Sequence, residues 1–415
     1  MGIENHSRTG TKESRSSRVT ISLAEALRQI KDNIIAPVTV VESVDITVSS
    51  GRVLARDVYA AMSIPLYNRA ARDGWAVRSA DIASATESLP VRLVIKGSVT
   101  AGSMPGFSLS EGECAGVATG FILPNGSDTV VMLENVSYDG HGVNIARPLP
   151  AGANVAARGC DIREGDLILK AGTILDPGKT GVLASQGMGT IEVYAKPTVS
   201  ILSSGDEVVP PGTSLGPGQI YDINSSALSA LVMDTGATPR VMGIVSDRTN
   251  DITREINQAL SADMVIITGG SSVGEKDLAI KALGSMGEIV FHGVRIKPGR
   301  PVAFAKVRGK PVFVLPGPPS ACLANAWLLV VPAIRYMAMT CGKMPYATRA
   351  KLKLGKKKIA SGVTNYFTVR LEEGSAIPVF KKAGDITSTS LGDGYVVIGE
   401  DEMVSDGTEI EVRLF

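Results

Sequence analysis

Residues 262–277 read ADMVIITGGSSVGEKD, and few folds accept such a run. Met264, Val265, Ile266 and Ile267 form an uninterrupted apolar stretch, the pattern of a strand buried on both faces. It breaks at Thr268 into Gly269-Gly270-Ser271-Ser272-Val273-Gly274, after which Glu275, Lys276 and Asp277 open a predicted helix. Glycines at the carboxyl end of a buried parallel strand let backbone N–H groups converge on an anion, and the dipole of the next helix adds to the attraction. A phosphate-bearing ligand is the expected guest, although glycines are also the ordinary material of any strand-to-helix turn.

The flanking sequence repeats this grammar. Residues 199–202 form a buried-strand pattern that ends in Ser203-Ser204-Gly205-Asp206-Glu207, and a helix beginning near Asn224 places Leu228, Leu231 and Val232 on one face. A strand at 241–245 ends at Asp247, and a helix over 251–260 aligns Ile252, Ile256 and Leu260. Strands at 302–305 and 312–315 follow, and Pro316-Gly317-Pro318-Pro319-Ser320 starts a long apolar helix with proline in its first turn. Alternating strands and helices predict βαβ units and a parallel sheet. Glu207, Asp247 and the glycine loop through Asp277 then all fall just past strand carboxyl ends, where open α/β sheets bind ligands.

On either side the pattern is different. Ser22 with Glu25 predicts a capping box for a helix carrying Leu23, Ala26, Leu27 and Ile30, and residues 38–58 alternate as strands do. From 91 onward, turn signals recur about every eight to twelve residues, as in a small barrel or sandwich. The loop over 69–77 contains Asp73-Gly74-Trp75, which by itself reads as a tight turn over a packed ring. Beyond Cys341 the sequence returns to strands, at 350–354, 395–398 and 409–415. The expected fold class is therefore α/β plus all-β in a multidomain chain.

Length and charge narrow the function. A chain of 415 residues with 44% hydrophobic content can bury several cores. Its net charge of +1 provides no general field for nucleic acid or an anionic membrane, so neither is an expected partner. Four cysteines without metal-like spacing and three distant histidines argue against zinc, and the thiols are expected to be reduced, as in a cytoplasmic protein. The first 18 residues lack an apolar core and read as a disordered tail, not a signal peptide. The longest apolar run, 321–334, is broken by Asn325 and Pro332 and falls short of the roughly 20 residues of a membrane span, so a soluble protein is expected.

Three carboxylates beside a phosphate-binding loop repel that phosphate unless a cation lies between them. Mg²⁺ suits the role, since it takes oxygen ligands and bridges carboxylates to substrate phosphates; Glu207, Asp247 and Asp277 are the expected ligands. Lys297, in Arg295-Ile296-Lys297-Pro298-Gly299-Arg300-Pro301, can supply fixed positive charge. Each carboxylate can also be read as an N-cap or a solvated turn, and for Asp247 read singly that reading is favoured, since it stands ahead of a helix. No Ser-His-Asp or Cys-His arrangement is evident, and His141 belongs to a hairpin tip.

Taken together the motifs resemble those of the molybdopterin molybdenumtransferases, the family of MoeA and the gephyrin E domain. The resemblance rests on Arg72-Asp73-Gly74-Trp75-Ala76-Val77, Ala118-Thr119-Gly120, Gly159-Cys160-Asp161-Ile162, Ser204-Gly205-Asp206-Glu207, Gly218-Gln219-Ile220-Tyr221-Asp222-Ile223-Asn224-Ser225, Thr268 to Asp277, Lys297-Pro298-Gly299 and Leu315-Pro316-Gly317. It runs from about residue 20 to the end.

This resemblance implies an elongated homodimer of four-domain subunits. The divisions are a tail (1–19), an N-terminal linker domain (20–60 with 160–195), an inserted β-rich domain (61–159), an α/β molybdopterin-binding domain (196–340) and a C-terminal β domain of barrel type (341–415). It implies insertion of molybdate or tungstate into adenylylated molybdopterin, with release of AMP and help from Mg²⁺, at an active site shared between subunits. Asp73, Thr119 and Asp161 would lie on the covering side, and Glu207, Asp247, Asp277 and Lys297 on the sheet side. Asn224, Ser225, Gly269, Gly270, Ser271 and Gly274 would cradle the ligand, with Ser388 and Ser390 added from the C-terminal domain. A molybdopterin adenylyltransferase and recipient apoenzymes would be further partners. Two departures from the family pattern bear on oxyanion binding: Pro318 stands where Asn is usual, and Thr368 where many members are basic. An adenylyltransferase or a gephyrin-like scaffold are the alternative readings.

Overall fold

The protein is described by a computed structural model, which covers residues 20–34, 37–269, 278–342, 346–355, 358–380 and 385–415. The chain divides into two compact units, residues 43–193 and the remainder, each described by itself.

In the larger unit the first helix, Leu23–Asn33 (α1), starts where the capping signal predicts, with Ser22 Oγ accepting from the Glu25 N–H at 3.1 Å. Only half of the expected box forms. The Glu25 carboxylate is taken by Arg28 and Gln29 on the next turn, which draws its pKa down to about 2.

The α/β part is built from Thr198–Ser204 (β1), Ile223–Asp234 (α2), Thr238–Val245 (β2), Thr249–Ala259 (α3), Met264–Thr268 (β3), Leu278–Met286 (α4), Glu288–His292 (β4), Ala303–Val307 (β5) and Lys310–Leu315 (β6). The sheet order is β2-β1-β3-β6-β5-β4. The pairs β1–β2, β1–β3 and β3–β6 are parallel, while β6–β5 and β5–β4 are antiparallel. The expected parallel sheet is present in β2-β1-β3-β6, and the sheet becomes mixed beyond it, because β5 and β6 join through a hairpin with Arg308 and Gly309 at positive φ. Strand β4 was not foreseen.

All five residues of β3 are buried. Met264 and Ile266 face a core shared with α1 and α2, and Val265 and Ile267 face one shared with α3 and α4. A strand covered on both faces has no polar side to alternate, which is why its sequence is an unbroken apolar run. Each fully buried aliphatic side chain contributes about 1.5–3 kcal/mol.

The chain leaves β1 for β2 on one side, then crosses back to β3 on the other. Connections from the neighbours β1 and β3 therefore diverge, opening a crevice at their carboxyl ends.

After β6 comes one continuous helical run: Pro319–Asn325 (α5), a π-turn at Ala326–Val330, and Val331–Met337 (α6). At 19 residues it is longer than the interruptions at Asn325 and Pro332 predicted, and by length and composition it could cross a membrane. With 72% of its apolar window buried against the sheet and α1, it is a core helix here.

The C-terminal strands are Ala347–Leu352 (β7), Thr364–Glu372 (β8), Ser375–Pro378 (β9), Gly394–Ile398 (β10) and Glu409–Leu414 (β11). They pair in the circuit β8-β9-β7-β11-β10 and back to β8, a closed five-stranded barrel. The short strand Ile296–Lys297 adds to β8, with Lys297 opposite Asn365.

In the unit 43–193, six strands form one sheet in the order Thr129–Met132, Gly74–Val77, Glu113–Val117, Val91–Ser98, Gly142–Ile145, Val136–Tyr138. Successive residues alternate between two cores: Ala76, Ala115 and Val130 on one side, Val77, Cys114 and Val131 on the other. The turn density that predicts a barrel or sandwich belongs instead to a single sheet covered on both faces. Residues 38–58 give only short strands, Val41–Asp45 and Val58–Tyr59, around a 3₁₀ turn. The helix Pro177–Ser185 is capped by Asp176, which accepts from the Lys179 N–H at 2.9 Å.

Candidate functional site

The crevice between β1 and β3 is a cleft of about 920 Å³ lined by Ser203, Ser204, Glu207, Asn224, Asp247 and Gly269, and also by Gly299 and Gly317. Its floor is made of hydroxyls. Ser203 sits opposite Thr268 in the β1–β3 ladder, and its Oγ lies 3.2 Å from Thr268 Oγ1 and 2.8 Å from Ser225 Oγ. Gly269 follows with φ +89°, and a Cβ there would run into the Ser204 carbonyl. No other residue type fits so close to β1 in this left-handed conformation.

Asp222 caps α2, its carboxylate accepting from the Ser225 N–H at 3.0 Å. This sets Asn224 at the rim, where its Nδ2 donates to the Gly317 carbonyl at 2.9 Å. The loops after β1 and β2 are tied by the Asp247 N–H, which donates to Asp206 Oδ1 at 3.1 Å. Burial, and then the carboxylates of Asp206 and Glu207, hold the Asp247 carboxyl above its ordinary value. The rim is an electrostatically crowded set of oxygen donors, the chemistry that suits a hard divalent cation.

Lys297 and Ser388 line a second cleft of about 600 Å³, together with Ser320, Lys358 and Thr368. Gly299 lines both clefts. Ser388 Oγ donates to the Asp385 carbonyl at 3.0 Å. Thr368 is buried and donates to the Ser388 carbonyl at 2.6 Å, so it braces the wall and brings no charge.

In the unit 43–193, Asp73 does more than the turn its sequence suggests. Its Oδ1 accepts from both the N–H and the Oγ1 of Thr119, at 2.7 and 2.8 Å, and these bonds lower its pKa. Gly74 lets this turn close, since a Cβ there would strike the Val131 carbonyl. Asp161 is exposed, its N–H donating to the Ile64 carbonyl at 3.1 Å.

The structure thus gathers Glu207, Asp247, Asn224 and Gly269 in one cleft, and Lys297 with Ser388 in the next. Two expected cradle residues lie outside the linings of both clefts. Ser225 lies buried beneath the floor, where its hydroxyl braces Ser203, and Ser390 is exposed outside both linings, bonded back to the Thr387 carbonyl at 3.5 Å. Gly270, Ser271, Gly274 and Asp277 lie outside the described residues. Among the described residues, no group of three or more His, Cys, Asp or Glu side chains converges as a metal site. Sequence reading gave no role to Ser203, Ser204, Asp206 or Asp222, although Ser204, Asp206 and Asp222 fall within the motifs that carry the resemblance and Asp222 stands just ahead of a predicted helix.

Comparison with known proteins covers most of the chain. The MoeA N-terminal region (domain I and II) matches residues 21–187, and a probable molybdopterin binding domain matches residues 200–336. A molybdopterin molybdenumtransferase from Nostoc sp. is 36% identical over 299 residues, 71% of this chain and 69% of that protein. One from Bacillus subtilis is 30% identical over 376 residues, 88% of this chain and 87% of that protein. A crystal structure of a molybdopterin biosynthesis MoeA protein from Pyrococcus horikoshii matches with TM-score 0.81 at 37% identity, covering 95% of this chain and 99% of that one.

Proposed function

The chain belongs to the molybdopterin molybdenumtransferase (MoeA) family, and from that premise we propose that it is a transferase of molybdenum cofactor biosynthesis acting on molybdopterin. The observation that carries the reading is the first cleft, where a left-handed glycine packed against β1 and a crowded carboxylate rim meet at the divergence of β1 and β3.

In its finer form, the substrate is adenylylated molybdopterin and the second substrate molybdate or tungstate, with AMP as the leaving product. The backbone around Gly269, with Asn224 at the rim, binds the phosphate-bearing end. Glu207 and Asp247, joined by Asp277, would hold Mg²⁺, whose charge offsets that of the phosphoanhydride and polarises it. The oxygen-only donors and the raised Asp247 carboxyl support this fit. Lys297 and Ser388 take the oxyanion in the neighbouring cleft, and because Gly299 is common to both linings the two substrates can be held side by side. The side chains act by orienting and by electrostatics, without a protein nucleophile.

The proposal extends to a homodimer in which Asp73, Thr119 and Asp161 complete the site of the other subunit. If so, mixed dimers of Asp73→Ala and Asp247→Ala chains regain activity that neither variant has alone.

The test is incubation of the pure protein with adenylylated molybdopterin, Mg²⁺ and molybdate or tungstate, following AMP release. Stoichiometric conversion supports the reading. Tight binding without AMP release would overturn it in favour of a scaffold.

A further inference from the structure

Asn325 is the polar residue that interrupts the longest apolar run in the chain. It ends α5 just before the π-turn, is 0% exposed, and lies in a helical run whose Cys322, Ala324, Ala326 and Leu329 belong to the apolar core. Its Nδ2 donates to the Ala321 carbonyl of its own helix at 2.8 Å and to the Gly299 carbonyl, 26 residues away, at 3.1 Å. Two carbonyl acceptors fix the amide's orientation, since the flipped amide would set oxygen against oxygen. Its Oδ1 is buried and has no hydrogen-bond partner among the described residues. A buried orphan acceptor costs about 1–3 kcal/mol, which an apolar side chain of similar size would avoid. What an apolar side chain could not supply is the bond to Gly299.

That contact is built from both sides. Gly299 has φ +100°, and a Cβ on it would strike Asn325 Nδ2. Gly299 lies two residues past Lys297 and lines both clefts. The other end of the turn is held by Lys297 pairing with Asn365 of the barrel. Lys297 thus sits on a short turn clamped at one end by the barrel ladder and at the other by a buried amide.

We propose that Asn325 is a positioning residue that pins the Lys297-Pro298-Gly299 turn through the Gly299 carbonyl and so aims the Lys297 ammonium into the second cleft. This rests on the reading of Lys297 as the residue that receives the oxyanion.

The test separates helix stability from turn position. In Asn325→Thr the hydroxyl can still donate to the carbonyl four residues back, as threonines in helices do, but it cannot reach Gly299. Sodium molybdate and AMP are titrated separately into the full-length chain by calorimetry, with Lys297→Ala in parallel. The expected result is molybdate binding weakened by roughly three- to tenfold in Asn325→Thr, the worth of one hydrogen bond, with AMP binding changed by less than about twofold. The apparent KM for molybdate rises by the same factor while kcat is retained.

Native molybdate affinity in Asn325→Thr, with Lys297→Ala weakened, overturns the positioning role and leaves the Lys297 reading standing. Native affinity in both variants overturns both. If Asn325→Thr fails to fold, Gly299→Ala disturbs the same contact from the turn side. The inference then requires the same selective loss of molybdate binding, and native affinity in folded Gly299→Ala overturns it.

Discussion

Asp73 and Asp247 are two exposed aspartates in loops beside a glycine-supported turn, and they are held in opposite ways. Asp73 has its charge answered within the protein by the Thr119 N–H and hydroxyl, which lower its pKa. Asp247 is partly desolvated and faces Asp206 and Glu207, which raise its pKa. The difference teaches what each loop is prepared for. A carboxylate already satisfied by hydrogen bonds is a finished structural element that can present its remaining oxygen. A carboxylate crowded by its own kind is stabilised only when positive charge arrives from outside.

The largest expected break in that contrast is Asp247→Ala, which should reduce AMP release by roughly 100- to 1,000-fold, the range for losing one preorganised electrostatic group. It should also flatten the dependence of rate on Mg²⁺ concentration. Next come the glycines beneath the two loops. Gly269→Ala adds a Cβ against the Ser204 carbonyl at positive φ and should cost about 1–3 kcal/mol of stability in a denaturant titration; Gly74→Ala, against the Val131 carbonyl, should cost a similar amount by steric clash.

A subtler contrast lies in pH. An acid with a raised folded-state pKa binds its proton more tightly when folded, so stability falls as pH climbs from the ordinary carboxylate range through the raised value. In chelator, Asp247→Asn should therefore raise the Tm near neutral pH, with the gain vanishing in acid, and Mg²⁺ should reverse the order of the two proteins. Asp73 has the opposite sign: its contribution is present above the ordinary carboxylate range and is lost as pH falls through the depressed value. Asp73→Asn, which keeps an acceptor for Thr119, should give the smallest effect, a slight loss of Tm at neutral pH that disappears in acid.

The same pair shows what a sequence can and cannot disclose. The unbroken apolar run of β3 and the Gly269 that follows it are legible because burial on both faces and positive φ each leave a residue-type signature. So is the position of Asp247 at a strand end. The Thr119 partner of Asp73 is not, because it lies 46 residues away and the bond is made by a turn that packing against the Val131 strand closes. Ser225 and Asn224 are adjacent in sequence, yet one lines the cleft and the other lies beneath it. The first turn of α2 decides that, through the Asp222 cap. The antiparallel half of the α/β sheet is hidden for a related reason, since a buried antiparallel hairpin and a buried parallel strand are equally apolar.

The barrel closes on itself through the pairing of β8 with β10, while among the described residues the α/β sheet ends at β2 and β4 with no further strand beyond either. Chains tend to stack through such unpaired rims, so the ring has removed a hazard that the neighbouring sheet must blunt by composition. Pro239 and Arg240 on β2 do so: a residue with no N–H to offer and a charge that resists burial make the flank a poor template for a second strand.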